Sequence, residues 1–314
     1  MPCTYAHRLF CTLTFQHTIV RMHHSFQALA GCRIVSLALN LPGPAALMRL
    51  CGMGAHCTKL EAPAPQGHAT SDPMGMYAPH AYRQLHEGIV VVHADLKTPE
   101  GKAHFNDLLT HTDVLITSFR PAALARLQLD WETLHTRHPQ LNLVQIVGAT
   151  GLRANEAGHD LTYQAEAGLV PDLNVPASLA ADMAGALTAT EAVLQTLLAR
   201  QQTGTGQRLE VGLLEAAQWL SIPRQWGMTT PEGITGGAHA GYRLYACMDG
   251  RVAIAALEPH FAQRLWQHIC PNTTPADMLD AATHQAISQF CATQTRAALE
   301  QLAQEHDIPL LTLP

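Results

Sequence analysis

The chain has 314 residues, 47% of them hydrophobic and only 14% charged, which is the composition of a well-buried globular protein and excludes a largely disordered one. Single cores stop growing near ~250 residues, so one large domain with a smaller companion is expected. Lys and Arg number 19 against 25 Asp and Glu, and the net charge of −6 provides no general field for nucleic acid or an anionic membrane; a polyanionic ligand would have to be held by local cations.

Residues 1–28 read as an N-terminal extension ahead of the fold, with Met22 as an alternative start. The apolar piece from Leu13 to Val20 is broken by Gln16 and His17 and falls short of the ~20 apolar residues of a membrane span. The 8 cysteines form no CxxC pair, and the 19 histidines include no HExxH. Free thiols, a cytoplasmic location, no metal, and neither membrane nor nucleic acid as a partner are therefore expected.

From Gly31 onward short apolar runs alternate with helical patterns, the sign of a parallel sheet with crossover helices. Strands are predicted at 33–37, 56–60, 89–92, 113–117, 141–147 and 207–211. Between the first two, Leu41-Pro42-Gly43-Pro44 opens a helix that ends at Gly52 and Gly54, since Pro suits a first turn and Gly an end. Further helices are predicted at 97–109 and 180–202. After Trp226 a Gly-rich loop leads to two runs, 242–247 and 251–256, joined by Met248-Asp249-Gly250, a hairpin signal. Helical pattern follows, ending in Ile308–Leu313. These readings place a large α/β domain with a Rossmann-like parallel sheet at 29–222 and a smaller α+β domain at 223–314.

Two phosphate-binding readings fail on context. The first strand is followed by Leu-Pro-Gly-Pro in place of GxGxxG, and Gly52-Met53-Gly54 follows a helix where a dinucleotide fingerprint would follow a strand. GxxxxGK[ST] is absent as well. Scattered cations are left: Lys59, Lys97 and Lys102, the only lysines of the chain, with Arg120 and Arg126. Arg120 stands out because Phe119-Arg120-Pro121 follows a predicted strand at the edge where α/β sheets gather ligands. Any one of these is also an ordinary solvated charge.

Several motifs then occur in a fixed order. They are Ala30-Gly31-Cys32-Arg33-Ile34-Val35, Pro42-Gly43-Pro44, Gly54-Ala55-His56-Cys57-Thr58-Lys59-Leu60-Glu61-Ala62-Pro63, Asp95-Leu96-Lys97-Thr98-Pro99-Glu100-Gly101-Lys102, Asp113-Val114-Leu115-Ile116-Thr117-Ser118-Phe119-Arg120-Pro121, Gly158-His159-Asp160-Leu161-Thr162-Tyr163, Thr203-Gly204-Thr205-Gly206-Gln207 and Ala256-Leu257-Glu258-Pro259. In this combination the chain resembles the family III CoA transferases (the CaiB/BaiF superfamily), with its Gly-His-Asp motif most like the 2-methylacyl-CoA racemases, from about Leu29 to its end. The resemblance implies a Rossmann-like large domain, a small domain, a homodimer interlinked like two rings, and no cofactor beyond coenzyme A as part of the substrate. It makes His159 the racemase acid/base, Asp182 the second acid/base or the transferase nucleophile, Glu258 a support for the histidine, and Arg126 a CoA contact. Lys59 and Arg120 join Arg126 as expected cations for CoA because of their place at the predicted sheet edges. Chains of the family continue past the small domain and return to the large one, so an end at Pro314 leaves that return segment missing.

The chemistry suits these residue types. Inverting a carbon beside a thioester needs one group to remove the α-proton and another to deliver a proton on the opposite face, with preorganised donors holding the enolate. Histidine, with an ordinary pKa of ~6.5, and a carboxylate supply that pair. Asp182 falls at a helix start, where the dipole favours the anion. Plainer roles stay open: Asp182 as an N-cap, His159 as a loop residue, Glu258-Pro259 as a helix start. The leading expectation is racemisation or epimerisation of a 2-methylacyl-CoA. The alternatives are a CoA transferase working through an aspartyl mixed anhydride, and a truncated paralogue without catalysis.

Overall fold

The computed structural model describes residues 26–271 and 276–314. Most of the extension read over 1–28 thus lies outside the described residues. The described residues form two compact units, one up to Gln218 and one from Trp219 on.

The first unit alternates strands and helices: β1 (Arg33–Ser36), α1 (Pro42–Gly52), β2 (His56–Glu61), α2 (Pro73–Tyr77), α3 (Pro79–Leu85), β3 (Val90–His93), α4 (Pro99–Leu109), β4 (Val114–Thr117), α5 (Pro121–Leu127), α6 (Trp131–Arg137), β5 (Asn142–Val147), α7 (Asp160–Glu166), α8 (Ala180–Thr203), β6 (Arg208–Gly212) and the start of α9 (Leu213–Gln225). All six strands are parallel, in the order β3-β2-β1-β4-β5-β6. Side chains alternate across the sheet because successive residues of a strand point to opposite faces. Ile34, Val114, Ile116, Val144 and Ile146 pack on one face with Ala46, Leu47 and Leu50 of α1 and Ala186, Ala189 and Val193 of α8. Val35, Leu115 and Leu143 pack on the other with Phe105 and Leu109 of α4, Leu124 of α5 and Leu134 of α6. Both faces are covered, which is why β4 and β5 read as unbroken apolar or buried runs.

Local chemistry sets the helix ends. Thr98 caps α4 by accepting the N–H of Gly101 at 3.1 Å, with Pro99 at the first helical position. Gly204 ends α8 in the left-handed region at φ 74°, a conformation that glycine adopts without steric cost.

The second unit is an antiparallel sheet of β7 (Tyr242–Cys247), β8 (Gly250–Ala255) and β9 (Leu310–Leu313) in that order, with α10 (Pro259–Ile269), α11 (Ala281–Ala292) and α12 (Arg296–His306). Its core gathers Val252 and Ile254 of β8, Leu265, Ile287, Cys291 and Leu299. No described helix is long and apolar enough to cross a membrane.

Candidate active site

Strand order reverses between β1 and β4: from β1 the chain moves outward to β2 and β3, and from β4 outward to β5 and β6. The segments leaving β1 and β4 therefore diverge, and a crevice opens beyond their C-terminal ends. A cavity of about 250 Å³ lies there, lined by Leu39 and Asn40 after β1, Ser118 and Arg120 after β4, Gly148 after β5, Gly158, His159 and Tyr163 at α7, and Asp182 on α8. Two hydrogen bonds hold its rim: the Leu39 N–H donates to Ser118 Oγ at 3.0 Å, and the Asn40 N–H donates to Asp72 Oδ1 at 3.1 Å. Asn40 itself is left-handed at φ 63°.

His159 is the N-cap residue of α7, exposed, with its N–H donating to Thr162 Oγ1 at 3.2 Å while that hydroxyl donates back to the His159 carbonyl at 2.7 Å. One turn on, the Tyr163 ring covers Gly148 and Gly158 so closely that a Cβ at either would come within 2.2 Å and 2.6 Å of it. Those two glycines are there to let the ring in. Asp182 occupies the first turn of α8, half-buried. Its backbone N–H donates to Asp160 Oδ1 at 2.9 Å.

The helix dipole alone would favour an ionised Asp182. Burial, the larger influence, and then the negative charge of Asp160 push the carboxyl from 3.8 up to about 7. The anion expected from the helix position is thus corrected: near neutral pH Asp182 is poised between acid and base. Burial and the charge of Asp182 also hold the Tyr163 hydroxyl above its usual range, so it stays a neutral donor.

His159, Asp182 and Arg120 are brought to one cavity. Arg126 lies in the last turn of α5, exposed, on the helix for which Arg120 is the N-cap residue. Lys59 departs from the expectation of a cation available to CoA. It lies within β2 at 0% exposure, its ammonium 3.0 Å from Glu61 Oε1 and bonded to Asp72 Oδ2, so its charge is paired with two carboxylates inside the protein. Burial pushes Glu61 up, but hydrogen bonds from Thr70 and Tyr82 and the charge of Lys59 outweigh it and leave the carboxyl below its ordinary range. Glu258 is the exposed N-cap residue of α10 in the second unit, with Pro259 at the first helical position. Its link to His159 rests on the resemblance alone. Asp160, Tyr163 and Asn40 were missed as site residues. Asp160 and Tyr163 belong to the Gly-His-Asp segment, but only the fold shows what they touch.

The sequence profile described as CoA-transferase family III matches residues 29–313. The chain belongs to that family. A Caenorhabditis elegans CaiB/baiF CoA-transferase family protein is 30% identical over 261 residues, covering 77% of this chain and 73% of the relative. Human alpha-methylacyl-CoA racemase is 28% identical over 256 residues, 76% of this chain and 64% of the racemase. Succinyl-CoA–D-citramalate CoA-transferase of Chloroflexus aurantiacus is 31% identical over 200 residues, 58% and 48% of the two chains. The chain thus spans from about half to about three quarters of the length of these relatives. A solved CaiB/BaiF family protein from Brucella suis shares the fold, with a TM-score of 0.73 at 24% identity over 91% of this chain and 83% of its own.

Proposed function

We propose that this family III protein is an acyl-CoA enzyme that racemises or epimerises a 2-methylacyl-CoA by moving the α-proton between His159 and Asp182. The observation that carries the reading is the pairing of those two side chains in one cavity at the switch point, with the Asp182 carboxyl raised to about 7. A group with that pKa gives up and takes back a proton near neutral pH with little penalty either way, as a two-base proton transfer requires. Arg120 at the cavity wall and Arg126 further along α5 offer cations to the CoA phosphates, while no other cofactor enters the chemistry. We further propose a cytoplasmic homodimer, a location supported by the free thiols among the described residues and an assembly suggested by the family resemblance.

A CoA-transferase reading is favoured by the Chloroflexus relative, whose identity to this chain is 31%. In it the ionised Asp182 attacks the thioester carbonyl and CoA leaves as its thiolate, giving an acyl-aspartyl mixed anhydride. The thiolate then attacks the aspartyl carbonyl and releases the donor acid. The acceptor carboxylate attacks the resulting aspartyl thioester and expels the thiolate, and the thiolate attacks the acceptor's carbonyl to form the new CoA thioester and free Asp182. Hydroxylamine distinguishes the two. A single epimer of a 2-methylacyl-CoA should yield the other epimer with no trappable adduct under the racemase reading. An aspartyl hydroxamate mapped to Asp182 by mass spectrometry after incubation with acyl-CoA and hydroxylamine, without epimerisation, would replace that reading with the transferase.

A further inference from the structure

Helix α8 begins without a cap of its own. Its N-cap residue is Leu179, whose side chain offers no acceptor, and Asp182, at the third helical position, carries one of the N–H groups that no carbonyl of the helix can satisfy. The missing acceptor comes from another helix, where Asp160 Oδ1 takes the Asp182 N–H at 2.9 Å. The second oxygen of the same carboxylate accepts Gln164 Nε2 at 2.5 Å, and that amide also donates to the Ser178 carbonyl, at 3.0 Å, just ahead of α8. Asp160 and Gln164 are 5% and 2% exposed. One buried carboxylate is therefore bonded to the backbone of one proposed acid/base residue and is the chain neighbour of the other.

We propose that Asp160 is a positioning residue for the proton transfer, its carboxylate fixing the separation of His159 and Asp182 by fastening the start of α8 to the first turn of α7. This rests on reading His159 and Asp182 as the acid/base pair. The clamp has the reach to matter, because a misplacement of about 1 Å in reacting groups costs on the order of 10²-fold in rate. It also has an electrostatic side. The titratable groups that line the cavity with Asp182 are Arg120, Glu156, His159 and Tyr163, and Asp160 on α7 and Tyr77 on α2 also interact with its charge; Asp160 is the one whose charge raises the Asp182 carboxyl.

Asp160→Ala and Asp160→Asn in the full chain separate the two effects, because Asn keeps an oxygen for the Asp182 N–H but loses the charge. Asp160→Ala should lower kcat for α-proton exchange by roughly 10²-fold with KM changed by no more than about threefold. Asp160→Asn should recover most of that loss, with the limb of the pH profile set by Asp182 moved to lower pH. Amide hydrogen exchange supplies a second readout that needs no turnover: the first turn of α8 should exchange faster in Asp160→Ala and remain protected in Asp160→Asn. Wild-type kcat in Asp160→Ala, or no gain of Asn over Ala in kcat, would overturn the proposal. If the wild type exchanges no α-proton at all, the reading of the reaction fails separately, and unaltered protection of α8 in Asp160→Ala would then dispose of the clamp as well.

Discussion

Lys59 and Asp72 are ion-paired with both side chains at 0% exposure, and the other oxygen of that carboxylate holds the N–H of Asn40 at the cavity rim. Thr70 and Tyr82 donate to Glu61, the second carboxylate on Lys59, so the buried polar groups satisfy one another. Such a network is unforgiving of deletion, because removing the cation leaves two carboxylates buried without a counter-charge. Lys59→Ala should therefore destabilise the protein by about 3–5 kcal/mol. Thermal unfolding checks this; a melting temperature equal to that of the wild type would show that the network has no structural weight.

Arg120 and Arg126 are exposed and should behave in the opposite way. Arg120→Glu or Arg126→Glu should leave the melting temperature nearly constant but weaken CoA binding in calorimetry by roughly tenfold or more, the scale of losing one hydrogen bond to a charged group at ~1.5 kcal/mol. Equal CoA affinity in both variants and the wild type would remove this edge of the sheet as the CoA site.

The raised carboxyl of Asp182 implies a pH signature in stability. Its ordinary value is 3.8 and its folded value about 7, so as pH rises the unfolded chain releases this proton first and the folded state is penalised. The contribution is intact below about pH 4 and is lost progressively up to about pH 7. Asp182→Asn removes the penalty. Its melting temperature should match the wild type at pH 4 and exceed it at pH 8, while all activity is lost; a variant less stable than the wild type at pH 8 would contradict the burial argument.

The proposed homodimer is tested by sedimentation at micromolar concentration. A boundary at twice the 34.0 kDa chain mass is expected, and a monomer across the whole range would show that the family's assembly does not extend to this chain.

Much of the sheet was legible because its strands are apolar runs bounded by Gly, Pro or polar residues; β4 and β5 match the predicted runs to within one residue at each end. The helices α2, α3, α5, α6 and α7 are only 5 to 7 residues long, too short for a 3.6-residue period to show. His159 and Asp182 were singled out through the family resemblance, and the fold brings both to the lining of one cavity. Asp160 was not, because its partner lies 22 residues away and its role follows from what Leu179 cannot do at the cap. Lys59 misled for a similar reason: a lysine near a strand end reads as a surface cation until the fold brings Asp72 to it.

If His159 and Asp182 exchange the α-proton of an acyl-CoA, deuterium from the solvent must reach the α-carbon during turnover. With a 2-methylacyl-CoA in deuterated water, the full chain should introduce one deuterium at the α-carbon as the second epimer accumulates. His159→Ala should slow this by at least ~10²-fold, the usual cost of losing a positioned general acid or base. Absence of α-deuterium from the wild type with every 2-methylacyl-CoA tried, or a His159→Ala variant that incorporates it at the wild-type rate, would rule out His159 and Asp182 as the pair that moves the proton.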